Sequence, residues 1–441
     1  MIKKYFKSFL GITTLILAFG CSEEDPIIEY VIVKETVTVT ETETVTVTED
    51  PFANSTLEGN ITKDTTLDAT KIWLLKGRVA VVDGVTLTIP AGTIIKASSG
   101  TGADAATLII ARGAKIIPEG TQEAPIIMTS VSDNIEVGGT YPSSGPALSV
   151  DTRGLWGGLL ILGKAPCSFK SDVSELQIEG IPTSDINGLY GGSVADDNSG
   201  SIQYLSIRHG GAEIGEGNEI NGLTLGGVGS GTTINQIEVV GNVDDGIEFF
   251  GGTVNATNLL VWGQGDDAID IDQAYAGTID GALIVLTAAS DHGFEIDGPE
   301  GSAPGRFTLK NATVIGATDN CSAEGVDGEM ADFRKGATGD VLNILFKNFA
   351  GGKDVELDAS ADAATYTSGT LTFANIDILH PLDDDGILCS DVETVNKIFD
   401  DRSDESSFET DANTFAEVVT EQQDGNGLPD ESIFSWTFYK R

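Results

Sequence analysis

From residue 199 onward the chain repeats one short phrase. SIQYLSIRHGG, TTINQIEVVG, TVNATNLLVWG, GTIDGALIVL and RFTLKNATVIG each alternate apolar and polar residues and then break at a turn-forming residue or a strand end. Ile234, Val254, Ile279 and Phe307 mark the repeat, with steps of 20, 25 and 28 residues. Irregular periods of this length, with three short strands expected per turn, predict a solenoid whose coils bury a common interior. Earlier stretches, VTLTIPAGTIIKAS (85–98) and ATLIIARGAKIIPEGTQEAPIIMTS (106–130), fit the same grammar. The fold class predicted is all-β, a single-stranded right-handed parallel β-helix with an extended N-terminal tether. A β-sandwich is disfavoured, because hairpin dipeptides at regular spacing are not prominent.

Charge narrows the partners. Sixty-eight acids against 25 bases give a net charge of −43. That field repels phosphate backbones and anionic headgroups, so no nucleic-acid partner is expected. Divalent cations and basic surfaces suit it better.

The N-terminus reads as targeting rather than fold. MIKKYFKSFLGITTLILAFGC carries Lys3, Lys4 and Lys7, an apolar run, and Gly20 before Cys21. This resembles a bacterial lipoprotein signal peptide (1–20), which implies lipidation of Cys21. Ser22, Glu23, Glu24 and Asp25 resemble the surface-export signal of Bacteroidetes lipoproteins, which implies an outer membrane anchor facing the cell exterior. Residues 21–54 are the tether, in which ETVTVTE occurs at 35–41 and 43–49. Residues 55–394 are assigned to the β-helix. Residues 395–441 are assigned to a C-terminal cap that ends by returning an aromatic strand, SIFSWTFYKR. Cys167, Cys321 and Cys389 are odd in number, so at least one is unpaired, and they are read as core or incidental thiols rather than a framework.

Three acid-rich stretches stand out: NVDDGIEFF, GDDAIDID and SDHGFEID. Alignment places Asp244, Asp266 and Asp291 in one column and Asp245, Asp267 and His292 in a second. Glu248, Asp270 and Glu295 form a third. Alternation points Ile247, Phe249, Ile269, Ile271, Phe294 and Ile296 inward and the third column outward. The first two columns are expected on the surface where the strands begin. Like columns on stacked coils lie about 4.8 Å apart. Two carboxylates at that distance repel by about 3.5 kcal/mol at an effective dielectric of about 20. Either solvent screens them or something relieves them: a cation, a shared proton, or backbone N–H groups.

GLWGGLLILGKAP (154–166), SGSIQYLSIRHGG (199–211), EINGLTLGGVGSGTTI (219–234) and DDGIEFFGGTVNATNLLVW (244–262) resemble a family of Bacteroidetes surface lipoproteins with a right-handed, pectate-lyase-like β-helix. That resemblance, from about residue 57 to about 390, implies fold and location but no reaction. The acid motifs also resemble those of polygalacturonase-type glycoside hydrolases. That second resemblance implies Asp245, Asp266 and Asp267 as acid and base carboxylates, assisted by His292. Such enzymes grip the substrate carboxylate with an Arg-Ile-Lys motif. Here Arg306 with Lys310, and adjacent Arg334-Lys335, are the nearest cations, and neither pair is expected to share a strand face. A calcium reading draws oxygen ligands from Asp244, Asp245, Asp266 and Asp267, with a second candidate loop at Asp424, Asn426 and Asp430. Two function classes stay open. The favoured one is a non-catalytic binding or accessory surface for glycans or partner outer-membrane proteins. The other is a glycoside hydrolase or polysaccharide lyase acting on acidic glycans.

Overall fold

The computed structural model describes residues 52, 54–139, 148–214, 220–317, 321, 328–349, 351–382, 389, 393–422 and 426–439. The chain divides after Pro51, and the second unit carries the fold. Cys21, Ser22, Glu23, Glu24 and Asp25 lie outside the described residues, as does the tether.

Apart from one short antiparallel pair, Leu176–Gln177 with Leu189–Tyr190, the strands pair in parallel, each with the strand one turn away, and build a three-sided β-helix. One side stacks the short strands Leu159–Leu162, Leu223–Gly226, Ile247–Phe250, Ile269–Asp272, His292–Asp297, Glu329–Arg334, Val355–Leu357 and Phe399–Asp401. The other two sides share long strands, among them Ser201–Arg208, Thr233–Val240, Asn255–Trp262, Thr278–Val285, Phe307–Ile315, Gly339–Lys347 and Leu371–Leu379. In the N-terminal turns these two sides are separate strands: Lys115–Glu119 precedes Gln203 on one, and Ile126–Ser130 precedes Leu205 on the other.

Three sides therefore come from two strands in most turns, where three strands were expected. The reason is a corner one residue wide. Tyr204, Gln236, Asn258, Gly281, Asn311, Asn343 and Asn375 all have positive φ, and the pairing register steps over each of them. A single left-handed residue turns the chain without interrupting its ladder. Asparagine tolerates that conformation and bonds locally. Asn343 Nδ2 donates to Asn311 Oδ1 at 3.1 Å and Asn375 Nδ2 to Asn343 Oδ1 at 3.0 Å, forming an amide stack along the axis.

The interior consists of aliphatic and aromatic columns. Ile247 stacks on Ile269 and Phe294, and Phe249 stacks on Ile271 and then Ile296, as the alternation predicts. The long-strand register differs from the sequence reading: Ile234 stacks on Ala256, then Ile279, then Leu309. Val254 and Phe307 lie two residues before those positions, so the period was read on a mixed set of inward residues. Tyr366, Phe373, Phe399, Phe408 and Phe415 plug the C-terminal end with ring centroids 5.0 to 5.5 Å apart for the close pairs.

Two parts of the C-terminal reading change. Phe399–Asp401 and Ala416–Val418 pair in parallel with Val355–Leu357 and Leu371–Leu379, so rungs continue past residue 394. The aromatic end is not a strand among its described residues. It forms a 3₁₀ turn, Glu431–Phe434, and its backbone N–H groups at Phe438 and Tyr439 donate to Glu238 Oε1 instead of a ladder. This segment runs back along the outside of the long strands. Leu428 N–H donates to Thr313 Oγ1, Trp436 Nε1 to Gln236 Oε1, and Phe438 packs over the Arg208 guanidinium at 4.9 Å.

The thiols also differ from expectation. Cys321 and Cys389 form a disulfide, while Cys167 is free. The strands that lead into their loops end at Ile315 and Leu379, which flank Lys347 in one column. Coil stacking therefore brings together two loops that are remote in sequence.

The corner column gives a direct test. Asn343→Leu forces a branched side chain into the left-handed region and removes both ladder bonds, a cost of about 2–3 kcal/mol. Asn343→Gly loses only the bonds and should recover roughly half of it. Chemical denaturation of the two variants beside wild type measures the difference.

Candidate functional site

The acid columns occupy the side built from short strands. Their register matches the alignment: Glu248 stacks on Asp270 and Asp270 on Glu295. The column then continues through Asp332, Glu356 and Asp400. Six consecutive rungs thus present an outward acid. The last three were missed by the motif search. Their signal was present: Ala331-Asp332-Phe333 and Val355-Glu356-Leu357 repeat the apolar-acid-apolar triplet without the preceding acid pair. In the other direction the same column reads Thr224, Leu160 and Ile109. The outward apolar residues there are covered by a lobe, in which Phe169, Ile178, Ile181 and Tyr190 pack against Ile109, Leu160 and Phe250. The column turns acidic where that cover ends.

The column containing Asp245 and Asp267 is buried, contrary to the expected surface position. Asp245 is 6 % exposed and Asp267 4 %. Each carboxylate turns along the axis and accepts the N–H that starts the next rung. Asp267 N–H donates to Asp245 Oδ1 at 3.0 Å, and His292 N–H donates to Asp267 Oδ1 at 2.9 Å. His292 Nδ1 lies 2.8 Å from that same Asp267 oxygen. Backbone groups are therefore one of the agents that relieve the repulsion, as the sequence argument allowed. Asp244 and Asp266 are half-buried, and Asp291 is exposed.

Crowding shifts the titration of the whole side. Burial, and then neighbouring carboxylates, push Asp245, Glu248 and Asp270 well above the usual carboxylate range. The same causes, burial first, raise Asp266 to about 6. Burial raises Asp332 to about 7, and raises Glu295 to about 8 with the Asp267 charge adding to it. Burial pulls His292 down, but the hydrogen bond and charge of Asp267 outweigh it and hold the ring at about 9.

Cations line one margin. Arg334 donates to Asp297 at 2.8 Å and pairs with Glu295, while Lys335 pairs with the same Asp297. Adjacent residues were not expected to share a face. Lys335 has φ of 53°, which turns its side chain back onto the target of Arg334. The two cations do converge, but on the protein's own carboxylate, which they hold below its ordinary value against burial. Arg402 pairs likewise with Glu356. Arg306 pairs with Asp340 and Lys310 with Asp280.

The second calcium candidate is used otherwise. Asn426 Nδ2 donates to Asp377 Oδ1 at 2.9 Å, and Asp430 caps the 3₁₀ turn by accepting from Ser432 N–H at 2.9 Å. Asp424 lies outside the described residues. The two remaining histidines are structural: buried His209 lies 2.8 Å from the Thr152 carbonyl, and His380 3.3 Å from that of Glu393.

The family model for the pectate-lyase like beta helix domain matches residues 59–437. The chain belongs to this family. A search of curated proteins found no match, and a search of solved structures found none. For this pectate-lyase-like β-helix, the family assignment agrees with the stacked rungs and leaves the work of the acidic side to be argued from its residues.

A pH dependence follows. Asp266, Asp332 and Glu295 hold protons in the folded chain that the unfolded chain releases near pH 4. His292 likewise holds its proton beyond the unfolded value near 6.5. Raised folded values of both kinds stabilise at low pH, and the stability is lost as pH rises through the folded values. In metal-free buffer the melting temperature should fall steadily from about pH 5 to about pH 9. Glu295→Gln should flatten the upper part of that profile, as thermal scans across pH would show.

Proposed function

We propose that this β-helix is a lipid-anchored outer-membrane protein that offers its acidic side as a non-catalytic binding surface. Lipidation at Cys21 and export through Ser22, Glu23, Glu24 and Asp25 supply the location. The partner is another outer-membrane protein or a glycan, and the net charge of −43 favours one that presents positive charge or bridging cations. One observation carries the non-catalytic reading. The two carboxylates best placed by motif to act as acid and base, Asp245 and Asp267, are buried acceptors of the next rung's N–H groups. Proton shuttling would break those bonds. The arginine and lysine that would grip an acidic sugar are already engaged by Asp297.

A hydrolase reading keeps one supporting feature. Asp266 is half-buried, held at about 6, and lies beside Asp267 and His292. A carboxyl with that value is suited to donate a proton near neutrality. The pectate-lyase likeness of the family agrees with acidic glycans as substrates for that reading.

Incubation of the purified protein with polygalacturonate, followed by assay of reducing ends and of unsaturated products, separates the two. No release is expected. Release that disappears in Asp266→Asn or Asp267→Asn would overturn the binding reading. For location, protease added to intact cells should degrade wild type. A variant with Glu23, Glu24 and Asp25 changed to alanine should be protected.

A further inference from the structure

At its C-terminal end the β-helix closes unevenly. Two of its three sides gain a last rung, Phe399–Asp401 and Ala416–Val418. Both are short and carry an acid, Asp400 and Glu417, which blunts an edge. The third side gains no such strand. Ala416–Val418 pairs with residues 376–378 alone, so residues 371–374 of the long strand have residues 339–342 on one flank and no described strand on the other. Where the next rung would lie, the chain forms the helical turns Phe408–Asp411 and Ala412–Thr414. Among the described residues no backbone hydrogen bond joins those turns to residues 371–374. In earlier rungs the equivalent residues donate onward: Phe307 N–H to the Thr338 carbonyl at 3.1 Å, and Gly339 N–H to that of Thr370 at 2.9 Å. Leu371 continues this column. Its N–H and C=O, and those of Phe373, therefore face the gap. A cavity of about 420 Å³ lies there, lined by this strand edge and by Tyr366, Ser407, Asp411, Thr414 and Phe415. Asp411 is the one charged residue in the lining. Its Oδ2 accepts from Tyr366 Oη at 3.3 Å and from Ser407 Oγ, and its Oδ1 accepts from no described residue.

We propose that this notch is a docking site for one extended, basic peptide strand of a partner protein, laid along residues 371–374 as the missing rung. The main-chain groups that face the gap supply the affinity, as in other additions to a sheet edge. The cavity sets the side chains. Phe408 and Phe415 already fill the interior next to Phe373, with ring centroids 5.1 and 5.5 Å from its own. The residue laid beside Phe373 must therefore be small. The available carboxylate oxygen of Asp411, in a chain of net charge −43, selects a lysine or arginine and rejects an acid. The same charge disfavours the chain's own tether, whose ETVTVTE repeats carry acids and no base.

The inference depends neither on the acidic side nor on the anchor. Full-length protein, purified in detergent, is titrated by calorimetry with the strand-forming peptide KTVAVTK and, separately, with the tether peptide ETVTVTE. Salt at about 0.3 M screens the general attraction of an acidic surface for a basic peptide. KTVAVTK should bind with a Kd of about 100 μM or tighter, and ETVTVTE should not. Hydrogen exchange of the backbone at residues 371–374 should slow by roughly tenfold when KTVAVTK is bound at saturation. Asp411→Asn should weaken binding by roughly tenfold. Thr414→Trp should fill the notch and abolish both the binding and the slowed exchange. If Thr414→Trp fails to fold, Ala374→Trp fills the notch from the opposite wall and bears the same test. No slowing at residues 371–374 with KTVAVTK would overturn the proposal, even if the peptide bound elsewhere. Equal or tighter binding of ETVTVTE would assign the notch to the tether and overturn it too. So would a folded Thr414→Trp or Ala374→Trp variant that binds KTVAVTK as wild type does.

Discussion

Parallel hydrogen bonding between successive rungs is the constraint on which the rest of this molecule depends. It fixes the distance between equivalent residues and repeats it without relief along the axis. Inside, that repetition is favourable: isoleucine meets isoleucine and then phenylalanine, and each stack excludes water from the next. Outside, it puts like charges side by side. The same register that builds the core therefore creates the electrostatic problem of the acidic side.

The protein meets that problem differently at each level of the ladder. At the strand starts, Asp245 and Asp267 turn along the axis onto N–H groups. Further along, Arg334, Lys335 and Arg402 come in from the margin onto Glu295, Asp297 and Glu356. Between them, at Glu248 and Asp270, neither device operates.

The sequence made the inward columns legible because alternation and the acid motifs reinforced each other at Ile247, Ile269 and Phe294. It made the long strands less legible. Their inward residues lie on both sides of a one-residue corner, so Val254 and Phe307 resembled Ile234 without stacking on it. The outer half of the ladder was hidden for a related reason. Asp332 and Glu356 carry the strand triplet without the acid pair that marks the earlier rungs. Burial of Asp245 and Asp267 could not be read at all, since it depends on which way a carboxylate turns. The disulfide was equally out of reach, because Cys321 and Cys389 become neighbours only through the stacking of two strand ends.

The returning C-terminal segment also bears on how such a chain can fold. A solenoid can add rungs one at a time, each resting on the one before, and can fray in the reverse order from an open end. Here Trp436 bonds to Gln236 and Phe438 to Glu238, partners 200 residues earlier in the chain. A growing or emerging chain can stack its rungs as they appear. Its outer edge stays unsealed until Trp436 and Phe438 are free to fold back. Once sealed, the terminal rungs cannot peel away singly without first releasing a fastening made several turns behind them. The returning segment thus ties a stepwise stack back onto rungs laid down much earlier.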